Sequence, residues 1–224
     1  MPGAPWNDDD PNDRRRLAAN ATALVSELRR DAGNTIVDLP EVLRWHQRLY
    51  EGCRVPVPDY IGHLRGDADI PELIDYEVGL GPQQPDGLPE NVGIWSADVP
   101  DAAATLLRGA HAAVTQLDTS LPPGTRPRDV EHLDAVIALA ATLHGHWVRI
   151  HPFANGNGRT ARVWVAWLCA RYALPTFVSV KPRPDDIAYA RASRASMGRP
   201  PDFVGDDSLT RAVFAHMLRL ELLG

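Results

Sequence analysis

At 224 residues, with 44% hydrophobic and 23% charged content, the chain has the size and composition of one globular domain with a sizeable core. Its formal net charge of −6 leaves no phosphate-neutralising excess, which argues against nucleic-acid and membrane-surface binding. The two cysteines, Cys53 and Cys169, lie too far apart in sequence to suggest a disulfide framework or a metal knuckle. With no membrane-length apolar run and no signal-peptide core, a cytoplasmic protein is the default.

Residues 1–13, rich in Asp, Pro and Asn, are expected to be a disordered tail, and 14–224 a single domain. "DRRRLAANATALVSELRRDA" spaces Leu17, Leu24, Val25 and Leu28 as one helix face, with Gly33-Asn34 as a stop. A second helix is expected through "PEVLRWHQRLYEG", from Pro40 to Gly52. From 55 to 100 the texture turns Pro- and Gly-rich. This excursion is expected to carry a small β-hairpin around "NVGIW", and its length between Arg65 and Asn91 suggests a role in target choice. Helical texture resumes at "DAAATLLRGAHAAVTQLDTS", with Asp101 as its cap. Two strongly apolar helices follow, "DVEHLDAVIALAATLHGHWVRI" and "TARVWVAWLCARYAL", then "PRPDDIAYARASRASM" and "DSLTRAVFAHMLRLELL". The expectation is a mainly α domain of six to eight helices. Trp45, Trp147, Trp164 and Trp167 are read as packing, and His132, His144 and His146 as helix-face or core residues.

Between the two apolar helices stands "HPFANGNGRTAR", residues 151–162. Gly156 and Gly158 around Asn157 let backbone N–H groups turn inward before a helix N-terminus, which makes a phosphate cradle. Arg159 and Arg162, three apart, project to one side and can grip phosphate oxygens. His151 faces the mouth of that cradle with a side chain suited to accept a hydroxyl proton. Pro152 fixes the turn and Phe153 anchors it. The plainer alternative is a glycine-rich helix–helix turn with solvated arginines. Nearly all positive charge is arginine, Lys181 being the one lysine.

The stretch resembles the signature of Fic-domain proteins, HPFx(D/E)GNGRxxR, departing at Asn155. "LRWHQRLYEG" and "GHLRG" look like that family's early helix and the arginine-bearing segment after it, and "NVGI" like the start of its flap. "LAATLHGHWVRIHPF" and "PDDIAYARASRAS" are similar to the helices around the motif, so the likeness runs from about residue 36 to 220. It implies a compact helical bundle with a β-hairpin flap. It also implies transfer of a nucleoside monophosphate, usually AMP from ATP, onto a Ser, Thr or Tyr hydroxyl of a target protein. On that pattern His151 is the base, and Gly156, Asn157 and Gly158 form the anion hole. Arg159 and Arg162 take the distal phosphates, while Asn91, Val92, Gly93 and Ile94 of the flap bind the target by strand addition.

Asn155 stands where the family usually carries the carboxylate that holds Mg²⁺; a neutral amide oxygen implies weaker metal binding. Reduced activity, a different donor, or a fold kept only for binding nucleotide or a protein partner all follow from that change. The family's inhibitory helix, (S/T)xxxE(G/N), has no match: none of the eight glutamates has Ser or Thr four residues earlier. A separate antitoxin-like inhibitor, or no restraint because activity is low, is therefore the expectation. Cytoplasmic action is expected, or delivery into another cell for an effector.

Overall fold

The computed structural model describes residues 6, 11–33, 37–83 and 89–223. Seven α-helices run through them: α1 (Pro11–Asp31), α2 (Leu39–Tyr50), α3 (Val99–Asp118), α4 (Val130–Ile150), α5 (Asn157–Arg171), α6 (Ile187–Met197) and α7 (Ser208–Leu223). None is long and apolar enough to cross a membrane.

Helix starts follow local chemistry. Asp38 caps α2 by accepting from Glu41 N at 2.9 Å, and Asp129 caps α4 by accepting from His132 N at 2.8 Å. Two expected boundaries move. α3 begins at Val99, with Pro100 in its first turn, so Asp101 lies inside that turn instead of capping it. α1 begins at Pro11, inside the stretch expected as tail. The Asp13 carboxylate accepts from Arg54 N at 3.2 Å and ties this start to the chain after α2. Residues 1–5 and 7–10 of the expected tail lie outside the described residues.

α5 is the central helix, buried without interruption from Thr160 to Cys169 and packed between α4 and α1, with α2 also against it. Trp164 on α5 meets Trp45 of α2 edge-on at 5.1 Å, Trp147 of α4 at 6.1 Å and Trp167 at 5.9 Å. All four tryptophans belong to the main core. Truncating such an anchor to alanine typically costs about 3–5 kcal/mol. The expected packing role holds for each.

The 55–100 excursion is ordered over most of its described length. A two-stranded antiparallel ladder pairs β1 (Gly79–Gln83) with β2 (Pro89–Asn91), aligning Gly79 with Asn91 and Leu80 with Glu90. The flap expected around "NVGIW" does not form there. Asn91 ends the ladder, and Val92, Gly93 and Ile94 turn down onto the end of α4, where Ile94 N donates to Arg149 O at 3.2 Å. Tyr60, Ile70 and Leu73 form a small second core that closes over Ala154. The excursion thus supports the loop between α4 and α5 from the side.

Candidate active site

The loop is set by two left-handed residues. His151 ends α4 at φ 54°, ψ 54°, its N–H donating to Trp147 O at 3.0 Å, and this reversal carries the chain out of the helix. Gly156, at φ +85°, turns it back into α5. A Cβ there would lie 2.7 Å from Tyr50 Cε2 and 3.0 Å from His46 Nε2, so the site requires glycine for space as well as conformation.

Between these turns the loop is clamped. Asn157 is buried, its Oδ1 accepting from Phe153 N and its Nδ2 donating to Phe153 O, both at 2.8 Å. The Asn157 side chain is thus a brace across the loop, and only its main chain faces the cradle expected of it. Phe153 stacks on the His46 ring at 3.8 Å and 13°, and Pro152 is buried beside it. His46 Nδ1 accepts from Gly62 N at 3.0 Å, so Nε2 carries the proton and donates to Asn155 O at 3.0 Å. Burial pushes His46 down to about 3 and keeps it neutral in this role.

Arg65 fixes the other side. Its guanidinium is fully buried and donates to five oxygens: His151 O at 2.7 Å, Ile94 O at 2.9 Å, Tyr76 O at 2.9 Å, Glu77 Oε2 at 3.0 Å and Ile150 O at 3.2 Å. One side chain thereby joins the end of α4, the foot of the ladder and the segment after it. The ring of His151 is partly exposed. Its Nδ1 lies 3.1 Å from Val148 O, an atom that can only accept, so the proton sits on Nδ1 and Nε2 keeps its lone pair. Burial, aided by the charge of Arg65, lowers His151 to about 4, so the ring is neutral at pH 7.

His151 opens onto a cavity of about 540 Å³ lined also by Asn155 to Arg159, Arg162, Lys181, Arg183 and Tyr189. Four of its lining side chains are basic and none is a carboxylate, against the negative balance of the whole chain. Arg159 lies 5.2 Å over the Tyr50 ring, with Nη2 3.4 Å from Asn155 Oδ1. Arg162 is 4% exposed and donates to Val180 O through Nε at 3.1 Å and Nη2 at 2.9 Å, and to Tyr189 OH through Nη1 at 3.2 Å. No carboxylate among the described residues pairs with it, and burial lowers its pKa. A buried cation without a counter-charge is costly unless an anion joins it. Asn155 turns its Oδ1 to Gly156 N at 2.6 Å and gives Nδ2 to Trp6 O at 3.2 Å.

The structure thus brings His151, Asn155–Arg159 and Arg162 together at one cavity, with Pro152 and Phe153 buried in the loop behind it. Val92, Gly93 and Ile94 lie behind His151, while the side chain of Asn91 falls outside the described residues. Sequence reading singled out neither Arg65 nor His46 as a site residue. The only signal was their place in "GHLRG" and "LRWHQRLYEG". Tyr189 had only its place in "PDDIAYARASRAS" and Lys181 only its being the one lysine, while nothing marked Arg183.

Seven helices among the described residues, with a glycine-bearing loop between α4 and α5 that opens onto a basic cavity, define the class of protein. A family model, Fic/DOC, matches residues 36–169, and the chain belongs to that family. Its fold is similar to the crystal structure of a Fic domain containing signaling protein from Bacteroides thetaiotaomicron VPI-5482. The TM-score is 0.61 at 16% identity, over 96% of this chain and 72% of that one. It is also 49% identical over 39 residues to a uridine 5'-monophosphate transferase of Xanthomonas campestris pv. campestris (strain 8004). That stretch is 17% of this chain and 7% of the relative.

Proposed function

We propose that the protein transfers a nucleoside monophosphate from a nucleoside triphosphate to a Ser, Thr or Tyr hydroxyl of a target protein. The observation that carries this reading is the cavity itself, with four cations and no carboxylate in its lining, a buried Arg162 that no carboxylate among the described residues pairs with, and a neutral His151 at its edge. His151 Nε2 takes the hydroxyl proton as the hydroxyl oxygen attacks the α-phosphorus. The bond from that phosphorus to the bridging oxygen breaks, and pyrophosphate leaves. The main-chain amides of Asn157 and Gly158, in the first turn of α5, face the attacked phosphate, and Arg159 and Arg162 balance the departing charge. AMP is the group the family resemblance implies, and UMP is the group named for the Xanthomonas relative.

Mg²⁺, which the resemblance also implies, fits these donors poorly. Asn155 Oδ1 already accepts from Gly156 N and faces the Arg159 guanidinium, and no carboxylate lines the cavity to take its place. No step of the proposed transfer passes through a protein-held metal. The same feature motivates a second reading, a module that binds nucleotide or a protein partner without transfer. A separate inhibitory partner accompanies the enzyme reading.

The deciding experiment incubates the protein and its His151→Ala variant with labelled ATP, UTP, GTP and CTP and a cell lysate. Transfer of label to protein by the parent should fall by a factor on the order of 10² to 10⁴ in the variant, with nucleotide binding kept. Equal labelling by both forms would refute the role of His151. Binding with no transfer from any of the four nucleotides would leave the module.

A further inference from the structure

We propose that Lys181 and Arg183, which lie outside the 151–162 motif, join Arg159 and Arg162 in holding the terminal phosphates of the nucleotide. This rests on the nucleotide reading above and extends it along the cavity. The motif arginine one turn into α5 is largely committed elsewhere. Three N–H groups of Arg162 go to Val180 O and Tyr189 OH, so its charge acts from the floor of the cavity.

That commitment places the next residues. Val180 is buried and gripped by two guanidinium N–H groups, and Lys181, half-buried, follows it directly. Arg183 lies 5.8 Å over the ring of Tyr189, whose hydroxyl is the second Arg162 partner. Both residues line the same cavity as Gly156, Asn157 and Gly158. Arg162 Nη1 also lies beside Gly158, 3.4 Å from where a Cβ on that residue would stand. Arg162 thus neighbours the cradle, and Lys181 and Arg183 line the same cavity beside it. A chain of three phosphates with its α-phosphate at the cradle would run its negative charge onto successive cations. Lysine serves phosphate as a mobile point charge, and arginine as a planar fork.

The chain has one lysine, and this permits a direct test. ATP and UTP carrying an acyl group on the terminal phosphate, as a mixed anhydride, react with an amine held beside that phosphate. The lysine nitrogen attacks the acyl carbon, the carbon–oxygen bond to phosphate breaks, and the intact triphosphate leaves. An amide remains on the lysine, and its proton passes to solvent.

Peptide mapping should find the acyl group on Lys181, blocked by excess ATP or tripolyphosphate and spared by AMP. Lys181→Gln should weaken triphosphate binding by about tenfold or more and monophosphate binding by less than about twofold, with Lys181→Arg restoring the difference. Labelling confined to the N-terminal amine, or equal losses for triphosphate and monophosphate, would overturn the assignment. Saturable labelling of Lys181 without group transfer would support it while refuting the transferase reading. Transfer that survives with Lys181 unlabelled would do the reverse, and no saturable nucleotide binding would sink both.

Discussion

Arg65 Nε donates to the carbonyl oxygen of His151 at 2.7 Å, so the residue proposed as base is held by its main chain from another part of the fold. The same guanidinium serves four further acceptors, two of them at the foot of the ladder. Arg65→Lys cannot serve five acceptors with one ammonium group. We expect a loss of about 3 kcal/mol in unfolding free energy and a lower kcat, with nucleotide affinity little changed. Urea unfolding and kinetics on the same preparation check this, and an Arg65→Lys protein of parental stability would refute it.

Gly93 packs against the back of His151. Its φ is +81°, and a Cβ there would overlap the His151 Cβ and crowd Ile150 O at 3.0 Å. Gly93→Ala should destabilise by about 2 kcal/mol or more through left-handed strain and overpacking, and should displace His151 enough to depress transfer. Gly109→Ala is the matched control. It lies in α3 with nothing within 4 Å of an added Cβ, so it should stabilise by about 1 kcal/mol. Thermal melts of the two variants should move in opposite directions.

His46 and His144 are fully buried, and burial holds each near 3 in the fold, the cationic arginines nearby adding to the effect. In the unfolded chain a histidine titrates near 6.5. The unfolded state therefore binds more protons between these values. The stability contribution is full above about pH 6.5 and is lost as pH falls from there toward 3. Each ring should contribute a slope of about 1.4 kcal/mol per pH unit in that window. Urea titrations at pH 7.5, 6.0 and 5.0 measure it, and His144→Phe should remove one proton from the slope. A pH-independent midpoint would contradict both neutral assignments.

Asn155 is the position where the enzyme and binding-module readings separate. Asn155→Asp supplies the negative oxygen that a divalent cation prefers and removes the N–H that reaches Trp6 O. We expect AMP transfer to become more dependent on magnesium and faster at saturating metal. A magnesium titration of both proteins with labelled ATP reads this directly. If parent and variant are equally inactive on every lysate, the binding reading replaces the enzyme reading. If the parent transfers at full rate without the carboxylate, the weak-metal argument fails.

What the sequence by itself determined was local. Asp38 and Asp129, which the sequence reading did not single out, start helices because their carboxylates reach N–H groups three residues on, a relation between near neighbours in the chain. Gly156 marked the turn into α5 for a similar reason, since only glycine takes that backbone angle without cost. The four tryptophans sat in apolar helical patterns, and burial by such patterns needs no knowledge of partners. The fold decided whatever required a partner far along the chain. His46 braces Asn155 across 109 residues, and Arg65 reaches His151 across 86. Many donors in the sequence were equally able to satisfy those buried carbonyls, and packing alone selected these two. The descent of Val92 to Ile94 onto α4, and the arrival of Lys181 and Arg183 at the motif cavity, were decided in the same way. Residue type names a capacity to bond, but which oxygen is left buried and waiting is a property of the assembled core.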